Sequence, residues 1–159
     1  MAKIFKFTPG SDTNAKVNVQ EFITRCREDL DVFGPEVNWD SNFWTGEVGF
    51  IKAGVNPRKV TAADLLSSDI IPFAKAYVAY RKAHNPSARD PARSIVPIRC
   101  IEPALLKIKK VADISLVDPV VLDHAAAVAR ECYPFSGNMA SSELNRFVRF
   151  LLDHKLVDR

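Results

Sequence analysis

The segment SSELNRFVRFLLD, residues 141–153, carries the clearest helical pattern of the chain. Its apolar residues follow the spacing i, i+3, i+4, i+7 and i+8, and they are Leu144, Phe147, Val148, Leu151 and Leu152. This spacing places them on one face of an α-helix, with Asn145, Arg146, Arg149 and Asp153 on the outer face. The segment therefore predicts an amphipathic helix that begins between Ser136 and Ser141.

Two more helices are predicted directly before it. Asp118 followed by Pro119 is a strong N-cap and first-position pair, and it opens a helix that ends near Tyr133. A helix over Arg93–Val111 carries an apolar stripe, made of Ile98, Ile101, Leu105 and Ile108, with Arg99, Glu102, Lys109 and Lys110 facing elsewhere. Pro103 is expected to kink or split this helix, because it removes an interior hydrogen bond.

A fourth helix is predicted from Ser68 or Asp69 to about His84. Pro72 is tolerated within its first turn, and Asn85–Pro86 ends it. Thr61 and Asp64 form a capping-type pair just before it. Residues 64–159 are thus expected to form a four-helix bundle with short or kinked connections, an orthogonal arrangement.

Residues 1–63 are expected to form a smaller N-terminal region. Asn18 and Glu21 have capping-box spacing and predict a helix over about 18–32, which Gly34–Pro35 ends. Residues 34–60 form an aromatic-anchored loop, with a short strand or hairpin at 47–52. Its aromatic residues are expected to pack either on one another or against the bundle. This anchoring of an irregular segment is a simpler role for Trp39 and Trp44 than stacking on nucleic-acid bases. The fold class is mainly α.

Composition indicates a globular protein. The chain has 159 residues, of which 47% are hydrophobic, enough for a buried core. No membrane-length apolar run or secretory signal is present, so a cytoplasmic location is expected. Cys26, Cys100 and Cys132 are widely spaced and indicate reduced thiols, without a disulfide framework or a zinc site.

The charge of the chain is concentrated in one stretch. The net charge is only +3, but residues 75–110 hold nine basic and two acidic residues, a local charge of +7. Such a stretch suits a polyanion, because each neutralised phosphate releases counterions. A solvated helix face with a basic loop explains the same charges equally well.

Catalytic motifs are missing from the sequence. His84, His124 and His154 lie in three different predicted helices or at their ends, and no phosphate-binding loop, dinucleotide motif or serine-hydrolase motif is present. Tyr77, Tyr80 and Tyr133 are candidate nucleophiles by residue type, but core or helix-end roles fit them better. We expect no enzymatic activity, cofactor, metal or small-molecule substrate for this chain.

The second half of the chain resembles the core-binding region of phage-type integrases, the tyrosine recombinases. Four segments carry this resemblance, in the family's order and spacing: residues 71–81, IPFAKAYVAYR; residues 98–106, IRCIEPALL; residues 118–126, DPVVLDHAA; and residues 144–151, LNRFVRFL. The similarity covers about residues 65–157, and residues 1–60 lie outside it.

The resemblance implies a SAM-like helical bundle that forms half of a clamp around duplex DNA. In the family, a separate C-terminal domain carries the catalytic residues, and its motifs do not occur in this chain. The implied partner is double-stranded DNA, with self-association on it, and the implied function is DNA binding for recombination and integration.

Side-chain chemistry, not the resemblance, selects the residues expected to contact DNA. They are Lys75, Arg81, Lys82, Arg89, Arg93, Arg99, Lys107, Lys109, Lys110, Arg146 and Arg149. Arg99, Arg146 and Arg149 are expected to read bases, and the lysines to contact phosphates. The alternative function is a helical protein-interaction or self-association module that does not bind DNA.

Overall fold

The computed structural model describes residues 14–29, 39–44, 48–56, 58–84 and 91–157. Within them the protein is mainly α-helical, as predicted. The elements are α1 (Ala15–Asp29), β1 (Phe43–Trp44), β2 (Val48–Gly49), α2 (Ile71–His84), α3 (Val96–Ile108), α4 (Pro119–Cys132) and α5 (Gly137–Asp153). Short 3₁₀ helices lie at Ala62–Asp64, Pro91–Ile95 and Ile114–Leu116.

The two C-terminal helices have the predicted character. The Asp118 side chain accepts a hydrogen bond from the Val121 backbone N–H at 2.9 Å, and Pro119 is the first residue of α4. In α5 the buried residues include Leu144, Phe147 and Leu151. The apolar period of residues 141–153 therefore locates the core-facing side of α5, except that Leu152, predicted on that side, is exposed and Phe150 is buried.

α3 differs from the prediction in two ways. It continues from Val96 to Ile108 through Pro103, so of the kink or split predicted at this proline the split is wrong. Ile101 and Leu105, on either side of the proline, are fully buried, and this packing offsets the roughly 3 kcal/mol that an interior proline costs. Glu102, expected to face away from the core, is also buried.

α2 lies at the centre of the fold. Its residues Phe73–Ala79 are buried without interruption, so the helix is covered on all sides. The ring of Tyr77 lies 4.8 Å from that of Phe147, centroid to centroid, with the two rings edge to face. This contact joins α2 to the inner face of α5.

The cap of α1 lies four residues before the predicted one. The Asn14 side chain accepts the Val17 backbone N–H at 2.9 Å, so Asn14 caps the helix. Asn18 is buried, and its Nδ2 donates to the Lys155 carbonyl at 2.9 Å. The predicted start at Asn18 is therefore wrong, because a tertiary contact uses that side chain. The predicted end near residue 32 lies outside the described residues.

A small hairpin occupies part of the aromatic loop. β1 and β2 are antiparallel, with Phe43 opposite Gly49 and Trp44 opposite Val48. A Cβ atom at Gly49 would lie 2.7 Å from the Phe43 ring, so the pairing needs glycine there. A hairpin was predicted in this region, but its first strand lies before residue 47.

One hydrophobic cluster spans the predicted boundary between residues 63 and 64. Phe22 of α1, together with Trp44 and Phe50, belongs to the same buried cluster as Phe73 and Phe147. The Phe22 ring lies 5.3 Å from that of Phe150 in α5. The loop aromatics thus pack both on one another and on the helices.

Candidate nucleic-acid interface

The outer face of α5 consists almost entirely of hydrogen-bond donors and cations. Its exposed residues up to position 149 are Asn138, Ser141, Ser142, Asn145, Arg146 and Arg149. We call this set the α5 polar face. Spacings of three and four residues place its members along one side of the helix. The only acidic residue of α5 before Asp153 is Glu143, which is buried.

The exposed residues of α1 and α4 have a different composition. Exposed charges on α4 are Asp123, Arg130 and Glu131, and those on α1 include Glu21 and Glu28 beside basic residues. Mixed signs are typical of an ordinary solvated helix. The α5 polar face therefore fits an anionic partner better than the exposed faces of α1 and α4 do.

The buried Glu143 carboxylate is paired with Arg81, which also contacts the Tyr77 hydroxyl. Arg81 Nη1 lies 2.8 Å from Glu143 Oε2 and 3.3 Å from the Tyr77 hydroxyl, to which it donates. Burial raises the pKa of Tyr77, so its hydroxyl stays protonated at neutral pH. Arg81, predicted to contact DNA, is half-buried and instead neutralises Glu143, the α5 carboxylate that precedes Asp153.

The two arginines of the α5 polar face are available to a ligand. Arg149 is exposed and makes no ion pair or hydrogen bond through its side chain within the described part of the chain. Arg146 Nη1 is 3.8 Å from Glu143 Oε1, and its side chain is 59% exposed. So long a contact in water holds a side chain weakly.

A second group of cations lies where α3 ends. Lys107 and Lys110 are exposed, and Lys110 Nζ donates to the Lys107 carbonyl at 3.0 Å. Lys110 has φ 66°, a left-handed conformation that ends the helix. Lys109 Nζ instead lies 2.6 Å from Asp118 Oδ2, and this ion pair makes Lys109 less available to a phosphate.

Two predicted DNA contacts lie in the interior. Lys75 is buried with its ammonium 5.5 Å from the centre of the Phe50 ring, and burial lowers the pKa of this lysine. Arg99 is partly buried, and its Nη2 donates to the Gly49 carbonyl at 2.5 Å. Neither side chain faces solvent as a DNA-contacting residue must, so we leave both out of the interface.

The remaining predicted contacts are scattered. Arg93 is exposed in the 3₁₀ helix before α3, and Lys82 is partly exposed near the end of α2. Arg89 lies outside the described residues. The structure thus separates ten of the eleven predicted cations into interior and surface groups, and the neutral members of the α5 polar face were missed. Their signal in the sequence was a helix face without carboxylates before Asp153.

In the part of the chain that the structure describes, chemically reactive residues do not converge on a second site. Tyr77 is fully buried, and the Tyr80 hydroxyl lies 3.4 Å from His154 Nε2. Burial raises the pKa of the Cys100 thiol to about 12, which leaves it unreactive at neutral pH. Among the described residues, no group of three His, Cys, Asp or Glu side chains could hold a metal ion.

The chain matches no protein-family model, and neither the curated proteins nor the solved structures contain a significant match to it. None of the helices in the described ranges is long and apolar enough to cross a membrane. The features that indicate a ligand are therefore the α5 polar face and the exposed lysines at the end of α3.

Proposed function

We propose that this chain is a duplex-DNA-binding module of a site-specific recombinase of the integrase type. The observation that carries the DNA-binding proposal is the α5 polar face, which presents two arginines and two asparagines with no exposed carboxylate before Asp153. In this proposal the module forms half of a clamp on DNA, and a separate domain performs strand cleavage. DNA cleavage is not assigned to this chain.

The dimensions and chemistry of the α5 polar face suit a DNA groove. From Asn138 to Arg149 the helix rises roughly 16 Å, at 1.5 Å per residue. A B-DNA major groove is about 12 Å wide and admits an α-helix. Arginine pairs with guanine and asparagine with adenine through two hydrogen bonds each, so Arg146, Arg149 and Asn145 are the proposed base contacts.

Lys107 and Lys110 are the proposed phosphate contacts. Lysine acts as a flexible point charge, which fixes position on the duplex without reading sequence. The assignment to a recombinase rests on the resemblance of residues 65–157 to integrase core-binding regions. A cytoplasmic location is part of the proposal, because the DNA on which an integrase acts lies inside the cell.

Charge-removing substitutions on α5 test the proposal. Binding of a fluorescent duplex is measured by anisotropy from low to moderate salt, with Arg146→Gln, Arg149→Gln and, as matched control, Arg130→Gln on the mixed face of α4. Each α5 variant is expected to weaken binding and to reduce the slope of log K against log salt by about 0.9 for each phosphate that is no longer neutralised. The control is expected to bind like the parent chain.

Two results contradict the proposal: no salt-dependent binding by the parent chain, or equal weakening in the α4 control and the α5 variants. The alternative, a self-association module, is favoured by the exposure of Leu116, at the end of the last 3₁₀ helix, and of Val120, in the first turn of α4. A concentration-dependent dimer in sedimentation, without DNA binding, supports that alternative.

A further inference from the structure

Phe135 is the most exposed large hydrophobic residue in the described part of the chain. Its exposed fraction is 100%, against 60% for Val120 and 46% for Val17. Burial of a phenylalanine side chain stabilises a fold by about 1.5–3 kcal/mol, and a fully exposed phenylalanine lacks this stabilisation. This side chain therefore adds nothing to the core and is free to contact a partner.

A tight turn presents the Phe135 ring. The Ser136 backbone N–H donates to the Tyr133 carbonyl at 3.2 Å, which closes a four-residue β-turn. Pro134 occupies the second position, where its fixed φ favours the turn, and Phe135 occupies the third. The ring is thus carried at the tip of a defined turn.

Both ends of this turn are attached to helices. The Tyr133 N–H donates to the Ala129 carbonyl at 2.9 Å at the end of α4, and the Ser136 carbonyl accepts the Ala140 N–H at 3.0 Å in α5. Tyr133 packs against the hydrophobic core, and its side chain is hydrogen-bonded by Arg99. These contacts fix the position of Phe135 relative to α5.

The surroundings of Phe135 are polar and open. It directly precedes α5, whose first turn contains no acidic residue and whose polar face begins at Asn138. A Cβ atom on Gly137 would meet no atom within 4 Å. The ring therefore lies at the end of α5 where the uncharged donors of the α5 polar face begin, and Arg146 and Arg149 follow further along the same helix.

We propose that Phe135 is the apolar base contact of the DNA interface, its ring packing on the bases of the bound duplex. This inference rests on the proposed function. An aromatic ring recognises DNA either by stacking at an opened base step or by touching a thymine methyl group. Both are contacts to bases, and neither involves a charge.

A single ring among polar residues fits a nucleic acid better than a protein partner. Protein docking sites are contiguous apolar patches, whereas the exposed residues that follow Phe135 are Ser136, Asn138, Ser141 and Ser142. A base offers an apolar face of one ring's size beside anionic phosphates. The combination of one ring with a cationic helix face matches that pattern.

The test compares Phe135→Ala with Val120→Ala, an exposed apolar control on α4, in the full chain. Phe135→Ala is expected to weaken duplex binding about fivefold or more, as is typical when one aromatic–base interaction is removed. The salt slope is expected to stay unchanged, because removing an uncharged ring restores no counterions. Val120→Ala is expected to bind like the parent chain.

A tryptophan probe supplies an independent readout. In Phe135→Trp, the fluorescence of the exposed indole is expected to fall on duplex binding, beyond the change shown by the native Trp39 and Trp44 of the parent chain. Two changes in the duplex separate contact with a methyl group from stacking. Replacing thymine by uracil removes the methyl group, and 2-aminopurine placed at successive steps reports a change in base stacking. A response to either substitution supports the inference.

Failure of this inference and failure of the proposed function give different results. If Phe135→Ala binds normally while Arg149→Gln is weakened, DNA binding stands and the base contact is refuted. If the parent chain does not bind duplex DNA at all, both proposals are wrong. If Phe135→Ala abolishes a self-associated form and leaves DNA affinity unchanged, the ring serves a protein contact and the inference is overturned.

Discussion

Gly137→Glu should stabilise the protein and weaken its binding to DNA. Gly137 is the first residue of α5, and a Cβ atom added there meets no atom within 4 Å. It is not among the residues of positive φ, so an L side chain introduces no backbone strain. The substitution adds a carboxylate to a first turn that has none.

The stability gain has two sources. Replacing glycine by a residue with a side chain at the start of a helix contributes about 0.5 kcal/mol, somewhat less than in a helix interior. A carboxylate in the first turn adds about 0.3–1 kcal/mol through the helix dipole. The sum, about 1 kcal/mol, corresponds to a rise of about 3 °C in Tm for a chain of this length.

The decrease in affinity follows from Coulomb repulsion. One negative charge about 7 Å from a phosphate costs about 0.6 kcal/mol in water, and several phosphates lie within reach of a bound helix end. A three- to tenfold weaker duplex affinity at low salt is therefore expected. Gly137→Gln is the matched control, because it adds a similar side chain without the charge.

Thermal unfolding and anisotropy titration on the same samples test this prediction. Gly137→Gln is expected to raise Tm slightly and to keep the parent affinity, whereas Gly137→Glu raises Tm further and binds less tightly. Because the weaker binder is the more stable protein, unfolding cannot explain its lower affinity. If Gly137→Glu is stabilised and binds duplex DNA as tightly as the parent chain, the start of α5 does not face DNA and the reasoning is refuted.

Two further predictions concern stability alone. Glu102 is buried, and its carboxylate accepts hydrogen bonds from the Ser67 backbone N–H at 2.5 Å and from Lys52 Nζ at 2.9 Å. Glu102→Gln removes a charge-assisted hydrogen bond and is expected to lower the free energy of unfolding by about 2 kcal/mol, measured by denaturant unfolding. A cost below about 0.5 kcal/mol, the lower end for any hydrogen bond, contradicts this role. The hydrogen bonds from Lys109 and from the α4 backbone lower the pKa of Asp118 in the folded protein. The ionised carboxylate therefore stabilises the fold at neutral pH, and this stabilisation is lost as the pH falls below 3.8, the ordinary pKa, and through the lower pKa of the folded state. Asp118→Asn keeps the cap and is expected to flatten the acid side of the Tm–pH profile, and an unchanged profile contradicts the assignment.

Apolar periodicity predicted the helices well and their detailed boundaries less well. The pattern around Phe147 identified the inner face of α5 because periodic burial is a local property of the sequence. The choice between Asn14 and Asn18 as the cap of α1 was not local. Both are asparagines at suitable positions, and only the distant Lys155 carbonyl determines that Asn18 is used inside the fold.

The basic stretch at 75–110 shows why charge counting located the candidate interface only in part. Formal charge weighs each cation equally, but Lys75 is buried beside the Phe50 ring, Arg81 neutralises Glu143, and Lys109 pairs with Asp118. A cation with a fixed internal partner contributes little field at the surface, because its charge is already compensated. A helix outside the stretch can therefore offer the better anion-binding surface if its carboxylates are buried. On α5 the burial of Glu143 creates that condition up to Asp153, so the feature that marks the candidate interface is a helix face without an exposed acid before Asp153 rather than a surplus of bases.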